Sequence, residues 1–154
     1  MGVLIDWILQ PPTSCDLLLV AMPWVGDVGK LAIDAVNAEL DAEPIARILH
    51  PALPPLAKLD EDGLLAPPHI LLSRVIVDGR EVYTLTGDAQ PMTPEGQHEL
   101  AVSVLELCEG GEVLVLAGMS AQAERKEVFS ITSSSSYRIE LESMGVDVRR
   151  DEPK

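Results

Sequence analysis

The chain has 154 residues, which is long enough for one domain with a substantial core. We therefore expect a single domain over residues 1–154 that ends in a charged tail at 149–154. It carries 25 acidic and 11 basic residues, and the net charge of −14 would repel a phosphate backbone, which argues against nucleic-acid binding. Hydrophobic residues make up 47% and aromatic residues only 3%, so the core must be aliphatic. This apolar excess indicates either burial between subunits of a homo-oligomer, which we expect, or a leucine-rich core of a monomer.

The apolar runs are short. Spanning a bilayer takes about 20 apolar residues, and the run at 17–22 is broken by Pro23 and Asp27. No basic region precedes an apolar stretch at the N-terminus, so no secretory signal is expected.

Cys15 and Cys108 have neither metal-ligand nor redox spacing, which fits free, partly buried thiols in a reducing compartment. We therefore expect a soluble, cytoplasmic protein without a membrane partner.

The first elements predict a β-β-α-β order. Residues 3–9 favour an opening strand, and the six apolar residues at 17–22 favour a strand buried on both faces. A turn follows, and Asp27 is expected to cap the next helix by accepting from amides of its first turn. Asn37 is expected on the water-facing side of this helix, and residues 45–50 favour the next strand. The stripe expected to be buried consists of Val28, Leu31, Ala32, Ala35, Val36 and Leu40.

The middle of the chain predicts a hairpin and a second helix. Residues 51–68 are rich in proline and are expected outside the central sheet, because proline donates no ladder hydrogen bond. Asp78-Gly79 between apolar runs at 69–77 and 80–85 is a strong hairpin signal. Thr93-Pro94 predicts the start of a helix. Its expected apolar face consists of Leu100, Ala101, Val104, Leu105 and Cys108.

The last third predicts alternating short elements. Strands are expected at 113–117, 128–132 and 146–148, with a loop or short helix at 121–127. The serines at 133–136 are expected to cap a helix at 137–144. The whole order predicts a three-layer α/β domain with a mixed sheet, and a Rossmann-type sheet is the alternative architecture.

The glycine-containing loop after the first buried strand resembles a phosphate cradle only superficially. A Walker loop needs glycine at position 24 and a hydroxyl at 31, where this chain has Trp24 and Leu31. The dinucleotide fingerprint lacks its first glycine. A helix N-terminus can hold an anion, but Asp27 would repel one. Trp24 is either an interface anchor or a side chain that packs over the start of the helix.

The loop after the hairpin is a second candidate site. Asp88 and Gln90 follow a strand end, where open α/β sheets place ligands. Asp88 is either a lone base or the residue of an Asx-type turn beside Gly87. Together the two loops give the candidate partner- or ligand-binding residues Trp24, Gly26, Asp27, Gly29, Gly87, Asp88 and Gln90.

The sequence shows no catalytic or metal-binding constellation. The only histidines are His50, His69 and His98, and His98-Glu99 lacks the second histidine of a zinc helix motif. His50 and His69 could meet in space, but too few further ligands accompany them. The serine run lacks a nucleophile elbow. Neither a cofactor nor a metal is expected, and function has to come from resemblance.

Three segments in order resemble the proteasome assembly chaperone 2 family, known in archaea, bacteria and eukaryotes. The first is Leu19-Val-Ala-Met-Pro-Trp-Val-Gly-Asp-Val-Gly29, which runs into a helix. The second is Leu85-Thr-Gly-Asp-Ala-Gln-Pro91, followed by Pro94-Glu-Gly96 and a helix. The third is Val113-Leu-Val-Leu-Ala-Gly118. Their order matches the family pattern, as do the later elements from Val128 to Val148.

The resemblance implies a fold similar to nucleoside phosphorylases and a non-enzymatic, homo-oligomeric scaffold that assists assembly of proteasome α subunits. Some archaeal members act through a C-terminal hydrophobic-tyrosine-any tail. This sequence ends Arg149-Arg-Asp-Glu-Pro-Lys154, which differs from that tail, and it stops before the family's C-terminal helical part. The alternative hypothesis is a nucleoside- or nucleotide-like small-molecule binding protein or hydrolase that uses the loops after the strands at 17–22 and 80–85.

Overall fold

The computed structural model describes residues 2–120 and 124–151. The chain divides into two compact units, Met1–Met119 and Ser120–Lys154. The first unit contains eight strands and two helices: β1 (Leu4–Trp7), β2 (Leu17–Ala21), α1 (Val28–Glu39), β3 (Glu43–Leu49), β4 (Lys58–Leu59), β5 (Leu65–Ala66), β6 (Ile70–Val77), β7 (Arg80–Gly87), α2 (Pro94–Leu107) and β8 (Glu112–Val115). The second unit contains α3 (Ser135–Ser143).

Six strands of the first unit form a mixed sheet in the order β1-β3-β6-β7-β2-β8. The β2–β7 and β2–β8 pairs are parallel, whereas β1–β3, β3–β6 and β6–β7 are antiparallel. The predicted mixed α/β sheet is therefore confirmed, and the mostly parallel Rossmann-type alternative is wrong. The β4–β5 pair forms a separate two-stranded sheet, so the proline-rich segment lies outside the central sheet as expected.

The two helices of this unit pack on opposite faces of the sheet. Leu85 of β7 belongs to a buried aliphatic cluster with Leu100 and Val104 of α2. Its neighbour Thr84 donates to Asn37 of α1 over 2.7 Å. Because adjacent strand residues point to opposite faces, α2 covers one face and α1 the other, which gives the three layers.

Local signals in the sequence predict one hairpin turn and one helix cap correctly. The turn between β6 and β7 places Asp78 and Gly79 at φ of 50° and 77°, the left-handed pair that a tight hairpin requires. Thr93 caps α2 by accepting from the Gly96 amide at 3.1 Å, and Pro94 is its first residue. Of the predicted apolar face of α2, Leu100, Val104 and Cys108, which caps the end of the helix, are buried, whereas Ala101 and Leu105 are exposed.

The predicted cap of α1 is wrong. Asp27 has φ 51° and its side chain makes no capping hydrogen bond. A capping residue needs extended backbone to aim its side chain at the first amides of the helix. Here Gly26 and Asp27 both adopt left-handed conformations in a 3-10 turn over Val25–Asp27, so the carboxylate is directed elsewhere.

The predicted buried stripe of α1 is also wrong. The helix buries Gly29 and Ile33, and Asn37, expected to face water, is half-buried through its bond to Thr84. Periodicity reveals an apolar face but not whether that face packs against the sheet. Of the predicted stripe, Val36 is half-buried, and the exposed residues are Val28, Leu31, Ala32, Ala35 and Leu40.

The thiols of Cys15 and Cys108 meet in the core, although 93 residues separate them in sequence. Their sulfur atoms lie 3.1 Å apart, and both cysteines are free and buried, more deeply than the sequence predicted. Burial, followed by the hydrogen bond to Cys108, raises the pKa of Cys15 to about 12. Cys15 is therefore a protonated, unreactive thiol at neutral pH.

In the second unit, Ser134 caps α3 by accepting from the Tyr137 amide at 3.2 Å, so the predicted helix and its serine cap are confirmed. The predicted strands at 128–132 and 146–148 are wrong, because these runs form only one isolated parallel bridge, Ser130 with Val148. Val128 is 94% exposed, and a short strand without a packed apolar face is not stable. Part of the predicted loop or short helix at 121–127 lies outside the described residues, and residues 124–127 form no helix.

Candidate functional site

The two loops singled out by the sequence lie side by side. Because β2 and β7 are paired in parallel, the loops that follow them leave the same end of the sheet. The Gln90 side-chain nitrogen donates to the Pro23 carbonyl oxygen at 2.6 Å and joins the loops directly. The candidate residues of these two loops therefore form one connected surface.

Asp88 lies between two lysines. It accepts from the Lys58 ammonium at 2.6 Å, and the Lys30 ammonium is 3.9 Å away. The hydrogen bond from Lys58 holds the pKa of Asp88 below its usual range, and the positive charges of Lys58 and Lys30 act in the same direction. A carboxylate stabilised in this way is a weak general base. Its side-chain hydrogen bond is with Lys58 rather than within the Asx-type turn that was one of the two expected roles.

Glycine allows α1 to contact the segment that follows β8. A Cβ at Gly29 would overlap the backbone carbonyl of Leu116, and a Cβ at Gly118 would overlap the carbonyl oxygen of Val25. The first and third segments of the sequence pattern therefore meet in space, and their glycines serve close packing. Gly87 is tightly packed too, since a Cβ there would lie 3.2 Å from the Ile70 side chain.

Trp24 is 67% exposed at the beginning of α1, so it does not pack over the start of the helix. Val25 follows it and is also exposed. The exposed side of α1 then continues this apolar surface with residues at helical spacing. We call the set of Trp24, Val25, Val28, Leu31, Ala32 and Ala35 the Trp24 face.

The histidines have local roles. His50 is almost fully buried, and its Nδ1 accepts from the Ala52 amide at 2.9 Å. Its Nε2 therefore donates to Glu99 at 2.8 Å. His69 bonds the Pro67 carbonyl oxygen, and His98 is exposed. Among residues 2–120 and 124–151, no group of three or more His, Cys, Asp and Glu side chains is arranged to hold a metal ion.

Two hollows in the first unit are not lined by Asp88 or the lysines, and the sequence does not reveal either. One, of about 530 Å³, lies where β2, β7 and β8 begin and is lined by polar residues such as Asp16, Arg80 and Glu112. The other, of about 280 Å³, is apolar and is lined by residues of α2, β2 and β8 together with Gln90.

No helix in the described parts of the chain has the length and apolar character that crossing a membrane requires.

Three solved structures of archaeal proteins illustrate the similarity in fold. Pyrococcus furiosus PbaB, an archaeal proteasome activator, matches with a TM-score of 0.75 and 19% identity over 99% of this chain and 68% of that one. P. furiosus PbaA, an archaeal homolog of proteasome-assembly chaperone, matches with a TM-score of 0.73 and 25% identity over 97% of this chain and 65% of that one. A Thermoplasma acidophilum protein of unknown function matches with a TM-score of 0.67 and 13% identity over 92% of this chain and 58% of that one.

The chain thus spans about two thirds of the length of these Pyrococcus proteins. A comparison with curated protein sequences found no match. A comparison with protein-family models matched residues 18–152 to the PAC2 family. This match covers all three segments of the sequence pattern and agrees with the fold of the Pyrococcus structures. The chain therefore belongs to the PAC2 family, which confirms the resemblance seen in its sequence.

Proposed function

We propose that this protein is a non-enzymatic, homo-oligomeric scaffold or chaperone for proteasome-type subunits in the cytoplasm, with the proteasome α subunits as its clients. Membership of the PAC2 family supports this proposal. So do the descriptions of two structural relatives as a proteasome activator and a proteasome-assembly chaperone homolog.

The Trp24 face is the observation that carries the proposal. It is an apolar surface on a well-formed helix, and large exposed apolar patches mark interaction sites. Tryptophan is enriched among interface residues that dominate binding energy. We assign this face to contacts between copies of the chain, in which Trp24 is the anchor and Val28 and Leu31 extend the contact along α1.

The surroundings of Asp88 also support a binding role. The carboxylate is ion-paired with Lys58 and has a lowered pKa, so Asp88 is a poor candidate for a general base at the joined loops. Within this proposal, Gly26, Asp27, Gly29, Gly87, Asp88 and Gln90 shape and hold the loops beside Trp24.

Native mass spectrometry of the purified protein, alone and mixed with purified α subunits from the same organism, tests the proposal. We expect a discrete oligomer that binds α subunits. The double variant Trp24→Ala/Leu31→Ser should shift the protein toward monomer. Ile76→Ser, on the exposed side of β6 near the opposite end of the sheet, is the matched control and should leave the oligomer unchanged.

A monomeric wild-type protein that binds no α subunit would contradict the proposal. A thermal-shift panel of nucleosides and nucleotides tests the competing small-molecule function, because a ligand that binds the native state raises the melting temperature. We expect no shift. A shift that disappears in Asp88→Ala would favour the competing function.

A further inference from the structure

The β4–β5 hairpin exposes leucines away from the main core. Leu59 of β4 lies directly opposite Leu65 of β5, and these side chains are 72% and 74% exposed. The register places Lys58 opposite Ala66, which is buried, so one face of the hairpin is turned toward the protein and the other presents the leucine pair to solvent. We call Leu56, Leu59, Leu64 and Leu65, all exposed, the leucine arm.

Several contacts support the hairpin, whereas an isolated two-stranded hairpin is only marginally stable in water. Asp60 accepts from the amides of Asp62 and Leu64 at 3.0 and 2.8 Å, and its own amide donates to the Leu64 carbonyl oxygen at 2.8 Å. Pro54-Pro55 precede the arm and Pro67-Pro68 follow it, which limits the conformations of both connections. The bond from Lys58 to Asp88 ties the hairpin to the joined loops.

These supporting contacts have a consequence for binding. A segment already fixed in its binding conformation loses less conformational entropy when a partner docks. Here the hydrogen-bonded hairpin presents Leu59 and Leu65 side by side. The arrangement is that of a preorganised docking element.

Charge indicates what the leucine arm binds. Its turn contains Asp60-Glu61-Asp62, the longest acidic run in the sequence. A second copy of the chain has net charge −14 and few basic groups to offer. Within residues 2–120 and 124–151, seven basic side chains are ion-paired with acidic groups of the same chain: Lys30, Lys58, Arg74, Arg125, Arg138, Arg149 and Arg150. The acidic turn therefore fits a different protein with a basic surface.

We propose that the leucine arm is the client-binding element, which inserts Leu59 and Leu65 into an apolar groove rimmed by lysine or arginine on a proteasome-type subunit. The identity of this client rests on the function proposed above. The leucines supply the buried area, and Glu61 and Asp62 interact with the basic rim. The arm acts separately from the Trp24 face, which joins copies of the chain.

The test measures the affinity of the full chain for purified α subunits, together with the mass of the chain's own oligomer. Leu59→Ser/Leu65→Ser should raise the Kd at least about tenfold, as expected when central apolar anchors are removed. The oligomer mass should stay the same. Ile76→Ser/Val77→Ser, exposed residues of the other hairpin, is the matched control and should bind like wild type.

A second pair of variants tests the charge. Glu61→Lys/Asp62→Lys keeps Asp60 in the turn and should slow association about tenfold at low salt, because steering toward the basic rim is lost. Glu106→Lys/Glu109→Lys makes the same change of charge on exposed residues at the end of α2 and should change the association rate far less.

The outcomes are distinct. Unchanged affinity in both arm variants would overturn the inference and leave the proposed function standing. Loss of the oligomer in the leucine variant would show that the arm binds a second copy, which also overturns it. Wild-type protein that binds no α subunit would reject the proposed function, and with it the client named for the arm. Circular dichroism of each variant should match wild type, because the arm lies outside the main sheet.

Discussion

At the residue scale, two threonines of β7 have different environments on the same side of the strand. Thr84 donates its hydroxyl to Asn37, whereas the buried hydroxyl of Thr86 has no hydrogen-bond partner within residues 2–120 and 124–151. A buried hydroxyl without a partner pays for its desolvation and gains nothing in return.

Thr86→Val should therefore leave the free energy of unfolding unchanged or raise it by up to about 1 kcal/mol, since it removes an unsatisfied group and keeps the shape. Thr84→Val should lower it by about 1–2 kcal/mol, because the Asn37 side chain loses its partner. Urea unfolding of both variants measures the difference. Equal losses of stability in the two variants would contradict this account of β7.

Burial of Cys15 and Tyr83 makes the fold sensitive to alkali. Burial raises the pKa of Cys15 from 9.0 to about 12, and burial together with the hydrogen bond to Glu81 raises that of Tyr83 from 10.0 to about 12. The unfolded chain loses these protons first, so between about pH 9 and 12 the unfolded state binds fewer protons than the native state. Stability must then fall as pH rises.

We expect the melting temperature to fall steadily as pH is raised above 9, the ordinary pKa of Cys15. Cys15→Ala removes one of the two groups and should reduce this slope, although the variant has a lower melting temperature at every pH because it leaves a cavity. A slope identical to wild type in Cys15→Ala would show that Cys15 makes no contribution.

At the element scale, Gly29 determines how closely α1 packs. Replacing an ordinary helical glycine by alanine stabilises a helix by up to about 1 kcal/mol. Gly29→Ala should instead destabilise the protein by about 1–3 kcal/mol, because its Cβ would overlap the Leu116 carbonyl. Ala32→Gly, on the exposed side of α1, is the control and should cost only about 1 kcal/mol. Stabilisation by Gly29→Ala would mean that α1 and the segment after β8 pack less closely.

Features that depend on neighbouring residues could be predicted from the sequence, whereas contacts between distant segments could not. The Asp78-Gly79 turn and the Thr93 cap depend on neighbouring residues, and both are predicted correctly. The buried face of α1 depends on which of two faces meets the sheet, and that choice comes from a glycine contact with a segment almost 90 residues away. Lys58 is likewise invisible as a partner of Asp88, because 30 residues of proline-rich chain and strand separate them.

At the scale of the whole molecule, the net charge of −14 opposes association between copies. Contacts through the apolar Trp24 face should therefore strengthen as salt screens this repulsion. We expect sedimentation velocity to show a larger oligomeric fraction at 500 mM than at 50 mM NaCl, concentrations at which the screening length falls from roughly 14 to 4 Å. An oligomer that dissociates with salt would instead indicate contacts made by ion pairs.

Client binding should respond to salt in the opposite sense. The acidic turn of the leucine arm is proposed to face basic groups, so the same increase in salt should weaken binding of the α subunit. Opposite salt responses of the oligomer and the client complex would support two separate surfaces on one chain. A parallel response would contradict that separation.

The central claim is that this PAC2-family protein promotes assembly of proteasome-type subunits. The most direct test follows the formation of α rings over time by native mass spectrometry, with the chain present at less than one copy per α subunit. We predict that wild-type protein accelerates ring formation and that Trp24→Ala/Leu31→Ser and Leu59→Ser/Leu65→Ser both reduce the acceleration. A rate of ring formation that is the same with and without the wild-type protein would contradict the claim.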